Sequence, residues 1–190
     1  MHRTLFIALL GLVVAAPLSG CATAVVGGIG VGAMMAADRR TPGTYILDEE
    51  IELTARARMH RQSMEGVNVN FTSFNRRLLI TGEARSRELR DEVQRLVGTI
   101  PNVREVIDET VIAAPSTLGS RTNDAYLTTK VKARLFESDK VAGNHVKVVT
   151  EAGTVFLMGV LSRAEGDVAA DIAARTKGVA RVVKVFEYQD

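Results

Sequence analysis

The chain has no tryptophan, one cysteine, three histidines and only 5% aromatic residues, and its charges nearly cancel at a net +2. Each shortage removes a class of function. A single thiol makes no internal disulfide and no cysteine-rich zinc site. Three histidines, one of them His2 at the very start, leave His60 and His145 without the ligand spacing of a helical metal site. A charge of +2 with no run of basic and aromatic residues gives no footing for nucleic acid. With so few aromatics, any core is built from Val, Leu, Ile and Ala, and such cores are small. The 46% hydrophobic and 24% charged content is nonetheless that of a globular chain.

What is present begins at the N-terminus. Met1-His2-Arg3 is a short positive start, Thr4 to Ala16 is almost wholly apolar, and Leu18-Ser19-Gly20 sets small residues before Cys21. That order is a secretory signal peptide over residues 1–20. Its apolar stretch of 13 residues is shorter than the roughly 20 that span a bilayer. Two other readings are an ordinary signal cut near a chance cysteine and one long hydrophobic anchor from Leu5 to Ala37. The Pro17-to-Gly20 break and the glycines at 27, 28, 30 and 32 weigh against the second. Leu-Ser-Gly-Cys resembles the bacterial lipobox, which implies that Cys21 is lipidated and becomes the first mature residue. Ala22 in place of Asp then implies sorting to the outer membrane. A single acyl chain binds a membrane marginally, whereas several hold firmly. The expected cofactor list is empty apart from this covalent lipid.

From Ile46 onward the chain repeats itself. Aligning Gly82 with Gly159 and Val103 with Val179 gives an offset of 76 to 77 residues. Each copy opens with an apolar stripe at helical spacing, Ile51, Ala55 and Met59 in the first and Leu127, Val131 and Leu135 in the second. A hairpin follows, Val67 to Thr72 with Arg77 to Thr81, then Val146 to Thr150 with Thr154 to Met158. Ser86 and Ser162 are candidate caps of a second helix, and Ser162 with Glu165 fits a capping box. A last strand, Val103 to Ile112 or Val179 to Tyr188, closes each unit. The fold class expected is α+β, with two α-β-β-α-β units, each a three-stranded mixed sheet covered by helices on one face. The expected boundaries are a lipidated Cys and flexible linker over 21–45, units over 46–113 and 123–190, and a linker over 114–122. Units this small sit near the lower limit of independent stability, so docking of one copy on the other is expected to help.

The run Val155-Phe156-Leu157-Met158-Gly159, the Ala-rich stretch from Ala169 to Arg175, Gly178-Val179 and Val182-Val183 resemble the BON domain. Two such units behind a lipobox resemble the DolP (YraP) family of outer-membrane lipoproteins, most closely along Asn123 to Lys132. The resemblance implies anionic phospholipid binding through the first helix of the second unit, a place at cell-division sites and support of envelope integrity.

The residues of that helix carry an argument of their own. On a 100° wheel Leu127, Val131 and Leu135 fall within about 80° and must face the sheet. Tyr126, Thr129, Ala133 and Phe136 point away, with Lys130 and Arg134 on one flank and Lys132 on the other. Aromatics bordered by cations suit a lipid interface, and a tyrosine there keeps its hydroxyl wet. Alternatively Phe136 tucks under the sheet, Tyr126 packs on the linker and the lysines are merely solvated. The first copy begins its helix Asp48-Glu49-Glu50 without an aromatic, an arrangement that complements a helix dipole and repels an anionic surface. No catalytic constellation is apparent, so the chain is read as a monomeric, non-enzymatic protein. Its expected partners are an anionic phospholipid membrane and envelope or division proteins. The competing function is a periplasmic protein-interaction adaptor linked to cell-wall remodelling, without direct lipid contact.

Overall fold

Strand Thr154–Leu161 shows how the layers form, because its residues are buried on both sides. Val155, Leu157 and Leu161 join one core cluster, while Phe156 and Met158 join another. An uninterrupted apolar run is the mark of a strand covered on both faces. The computed structural model describes residues 39–189. It contains α1 (Pro42–Gln62), β1 (Val67–Phe74), β2 (Arg77–Ala84), α2 (Arg87–Gly98), β3 (Glu105–Asp108) and β4 (Val111–Ile112). The second copy contains α3 (Leu118–Phe136), β5 (Lys147–Glu151), β6 (Thr154–Leu161), α4 (Arg163–Ala174) and β7 (Arg181–Tyr188). Residues 1–20, expected as the signal peptide, Cys21 and the stretch to 38 lie outside the described residues.

In each copy the hairpin is antiparallel and the last strand returns parallel to its second arm, so the sheets are mixed. The first sheet has four strands rather than three. Its last segment, expected as one strand from Val103 to Ile112, breaks where the Thr110 amide donates to Asp108 Oδ1 at 2.8 Å, and β3 and β4 each pair with β2. Helices cover one face of each sheet. The other faces meet each other, through Phe74 and Leu79 from the first copy and Phe156, Met158 and Val185 from the second. The result is four layers, helix–sheet–sheet–helix, with the two copies sharing an inter-sheet core.

Polar contacts ring that core. Arg77 donates from Nη1 to the carbonyls of Val185 and Phe186 at 3.1 and 3.2 Å. Lys147 Nζ reaches Glu52 Oε1 at 2.7 Å and the Ser73 carbonyl at 3.1 Å. Glu187 accepts from Asn75 Nδ2 at 2.9 Å and from Arg104. Burial opposes ionisation of Glu187, but those bonds outweigh it and hold its carboxyl below the ordinary value.

Both leading helices start earlier than the sequence suggests. The Thr44 amide donates to Thr41 Oγ1 at 3.2 Å and Pro42 opens α1, so Thr41 to Thr44, inside the stretch expected as a linker, is instead a cap and the start of a first helical turn. Thr117 likewise accepts from the Ser120 amide at 3.3 Å, and α3 begins at Leu118 inside the stretch expected as a linker. Ser86 caps α2, and Ser162 with Glu165 forms the capping box of α4, as expected.

The earlier start of α1 also changes the role of Asp48. It lies in the helix body, buried, not in a first turn complementing the dipole. Its Oδ1 accepts from Ser73 Oγ at 2.6 Å and the Arg76 amide at 2.7 Å. Its Oδ2 accepts from the Asn75 amide at 2.8 Å and Arg40 Nη1 at 2.7 Å. Asn75 and Arg76 both have positive φ, the geometry of a two-residue hairpin turn whose amides point inward. Asp124 does the same in the second copy, accepting from the Ala152 and Gly153 amides at 3.0 and 2.8 Å. One aspartate per copy therefore locks the first helix onto the hairpin tip. Gly82 and Gly159 allow the strands to close below it. A Cβ at Gly82 would stand 2.2 Å from the Asn68 carbonyl oxygen, and one at Gly159 would stand 2.6 Å from that of His145.

Candidate membrane-contact helix

Helix α3 is positioned from within by Leu127, Val131 and Leu135, all buried, Val131 and Leu135 in one core cluster with the second sheet and α4 and Leu127 beside Gly178. Asp124 fixes its rotation at one end by holding the β5–β6 turn. With the inner arc set, the outer arc follows. Tyr126 and Phe136 are each 62% exposed, and Thr129 and Ala133 lie open between them. Neither aromatic is packed into the domain core. One edge of Phe136 rests on Gly143, where a Cβ would approach its Cγ to 2.9 Å.

Leu118 extends the stripe. It is 79% exposed and stands five helical turns before Phe136, on the same azimuth and about 27 Å away. Sequence reasoning missed it because Pro115, Ser116, Gly119 and Ser120 resemble a linker. The available signal was Thr117 three residues before Ser120, a side-chain cap.

The three cations are not equivalent. Lys130 Nζ donates to the Lys177 carbonyl at 2.8 Å and lies 5.3 Å from the Tyr126 ring centre. Arg134 Nη1 donates to the Arg175 carbonyl at 2.8 Å and Thr176 Oγ1 at 3.2 Å. Both thus lean on carbonyls beyond the C-terminal end of α4, where positive charge is favoured. Lys132 projects freely on the opposite flank. None of the three pairs with a carboxylate among the described residues.

The equivalent helix of the first copy differs in sign. Ile46 and Leu53 are exposed on α1, but Glu49 and Glu50 stand exposed beside them. Because α1 begins early it does contain an aromatic, Tyr45, which Arg40 covers at 5.0 Å while also stacking on Phe74 at 4.0 Å. The chain enters the first helix past Arg39, whose guanidinium grips Glu165 at 2.7 and 2.9 Å and donates to the Val160 carbonyl at 3.0 Å. The Arg39 bond above all pulls the Glu165 carboxyl down to about 2. Among the described residues no cluster of three or more His, Cys, Asp or Glu is arranged to hold a metal, and no helix is long and apolar enough to cross a membrane.

The BON domain matches residues 47–114 and again 123–190. Over 176 residues the chain is 36% identical to the outer membrane lipoprotein DolP of Haemophilus influenzae, covering 91% of each protein. It belongs to the DolP family of dual-BON lipoproteins. Within this family frame, the 21 kDa hemolysin of Actinobacillus pleuropneumoniae is 31% identical over 153 residues, 80% of this chain and 79% of that one. The osmotically-inducible protein Y of Escherichia coli is 25% identical over 144 residues, 74% of this chain and 72% of that one. The likeness to DolP runs through both BON units and therefore through α3.

Proposed function

We propose that this protein is anchored by lipid on Cys21 at the periplasmic face of the outer membrane and docks α3 of its second BON domain on anionic phospholipid, supporting envelope integrity, including at the division site. The observation that carries this reading is the doubly apolar helix: Leu127, Val131 and Leu135 fill the core while Leu118, Tyr126 and Phe136 stand open between Lys132 and the Lys130–Arg134 flank. Each cation near an anionic surface contributes about 1 kcal/mol. A fully buried aromatic contributes about 1.5–3 kcal/mol, and Glu137 and Asp139 subtract from the sum. A few kcal/mol is weak from free solution, but a tethered module acts at about millimolar effective concentration. Weak docking then suffices.

Flotation tests it. A fragment from Ala22 to Asp190 keeps every core described above and lacks the acyl chains. It is expected to float with phosphatidylglycerol vesicles, to stay down with phosphatidylcholine alone, and to lose flotation on Tyr126→Ala with Lys130→Glu. Wild-type fragment that stays down with both vesicle types would assign the stripe to a protein partner, making the molecule an adaptor.

A further inference from the structure

Strands β1 and β5 are the outer strands of their sheets, each bonded on one side only, to β2 and β6. The two outer edges come together along a cleft of about 560 Å³, bordered by α1 and α3. Turn geometry tells which backbone groups face it. A two-residue turn makes its flanking residues a bonded pair, so Phe74↔Arg77 and Glu151↔Thr154 are bonded pairs, and bonding alternates from there. Ser73, Phe71 and Val69 on β1, and Thr150 and Val148 on β5, consequently turn their amides and carbonyls outward. Ser73 confirms the phase, since its amide donates to Glu52 Oε1 at 2.9 Å and its carbonyl accepts from Lys147 Nζ. No described residue supplies such partners to Phe71 or Val69.

The cleft also holds a carboxylate, Glu151, that makes no ion pair among the described residues. Arg56 is paired with Glu52, Arg121 donates to the Ser116 carbonyl, and Asp124 is occupied by the turn amides. Glu151 accepts only from Asn70 Nδ2 at 2.9 Å and Thr81 Oγ1 at 3.4 Å, both through Oε2, leaving Oε1 without a hydrogen bond among the described residues. A strand added to β1 would lie about 4.8 Å beyond it in the plane of the first sheet, on the side where the cleft opens.

We propose that this cleft captures an extended peptide segment of another protein, which adds as a strand to the Val69–Phe71 edge of β1 and sets a Lys or Arg side chain against Glu151. Main-chain bonds supply affinity and the cation supplies selectivity, the division of labour of strand addition. The cleft is lined by Arg121, Asp124, Ala125 and Thr128 of α3 and not by Leu118, Tyr126 or Phe136, so the proposal does not depend on lipid binding by those three.

The test is an NMR titration of the ¹⁵N-labelled Ala22–Asp190 fragment with the acetylated, amidated peptide Thr-Val-Lys-Val-Thr-Val, up to about millimolar. The amides of Val69 and Phe71 are expected to shift downfield and gain protection from exchange. Affinity is expected to fall by about tenfold when the peptide lysine is glutamate, and equally when the protein carries Glu151→Gln and the peptide keeps its lysine. A backbone N-methylated peptide is expected to leave both amides unmoved. Unmoved Val69 and Phe71 amides with the lysine peptide, an equal response to the N-methylated one, or an affinity indifferent to Glu151→Gln would overturn the proposal. Movement of the same amides on concentrating the protein alone would give the edge to a second copy of this chain, and overturn it too.

Discussion

Replacing Phe156 with alanine is expected to destabilise the whole described unit by about 3–5 kcal/mol. Phe156 is buried in the inter-sheet core with Met158, Val185, Phe74 and Leu79, so truncation leaves a cavity between the two copies and not inside either one. Residues 38–190 also cluster as a single unit. Urea unfolding followed by far-UV circular dichroism is expected to give one transition for the wild-type Ala22–Asp190 fragment and a midpoint markedly lower for Phe156→Ala. Phe136→Ala, on the open face of α3, is expected to move the midpoint by about 0.5 kcal/mol or less. Equal small effects at both positions would mean that the two BON units fold independently and that the inter-sheet core contributes nothing.

Asp48→Ala is expected to cost a similar amount, about 3–5 kcal/mol, for a different reason. The substitution strips the Asn75 and Arg76 amides and the Ser73 hydroxyl of their acceptor and breaks the ion pair between Asp48 and Arg40, whose side chain is 6% accessible. The orphaned turn amides and hydroxyl, buried under the helix, are part of that cost, and the broken buried ion pair is the rest. Asp48→Asn is expected to fall between, since its amide oxygen still accepts while its NH₂ faces donors. Asp124→Ala should cost less, about 1–3 kcal/mol, because only the Ala152 and Gly153 amides are orphaned and no guanidinium is involved. The same urea transitions measure all three. Stability unchanged on Asp48→Ala would mean that the helix-to-turn lock does not hold the fold.

Much of this was legible from residue spacing. Leu127, Val131 and Leu135 at i, i+4 and i+8 face inward as a 3.6-residue period requires, and the two serine caps fall three or four residues after a strand glycine, where a helix begins. Helix starts were harder. Thr41-Pro42-Gly43 and Pro115-Ser116-Thr117 share their composition with turns, and only the threonine hydroxyl accepting from the amide three residues further on distinguishes a cap. That ambiguity hid Leu118 and misplaced Asp48. The aspartate locks act between residues 27 to 29 positions apart, beyond any local period, although their recurrence at the 76-residue offset of the repeat was visible. Packing of sheet on sheet was signalled by the unbroken runs Leu78-Leu79-Ile80 and Val155-Phe156-Leu157-Met158. Burial on two faces is implied by such a run, whereas the identity of the second partner is not.

The absence of tryptophan makes the central claim directly measurable. Phe136 is exposed, so Phe136→Trp places a single indole on the outer stripe of α3 without entering the core. With vesicles containing phosphatidylglycerol, its emission is expected to shift to the blue and to be quenched by bromine-labelled acyl chains, and to do neither with phosphatidylcholine alone. Emission that stays at the aqueous position, unquenched, on anionic vesicles would contradict the account.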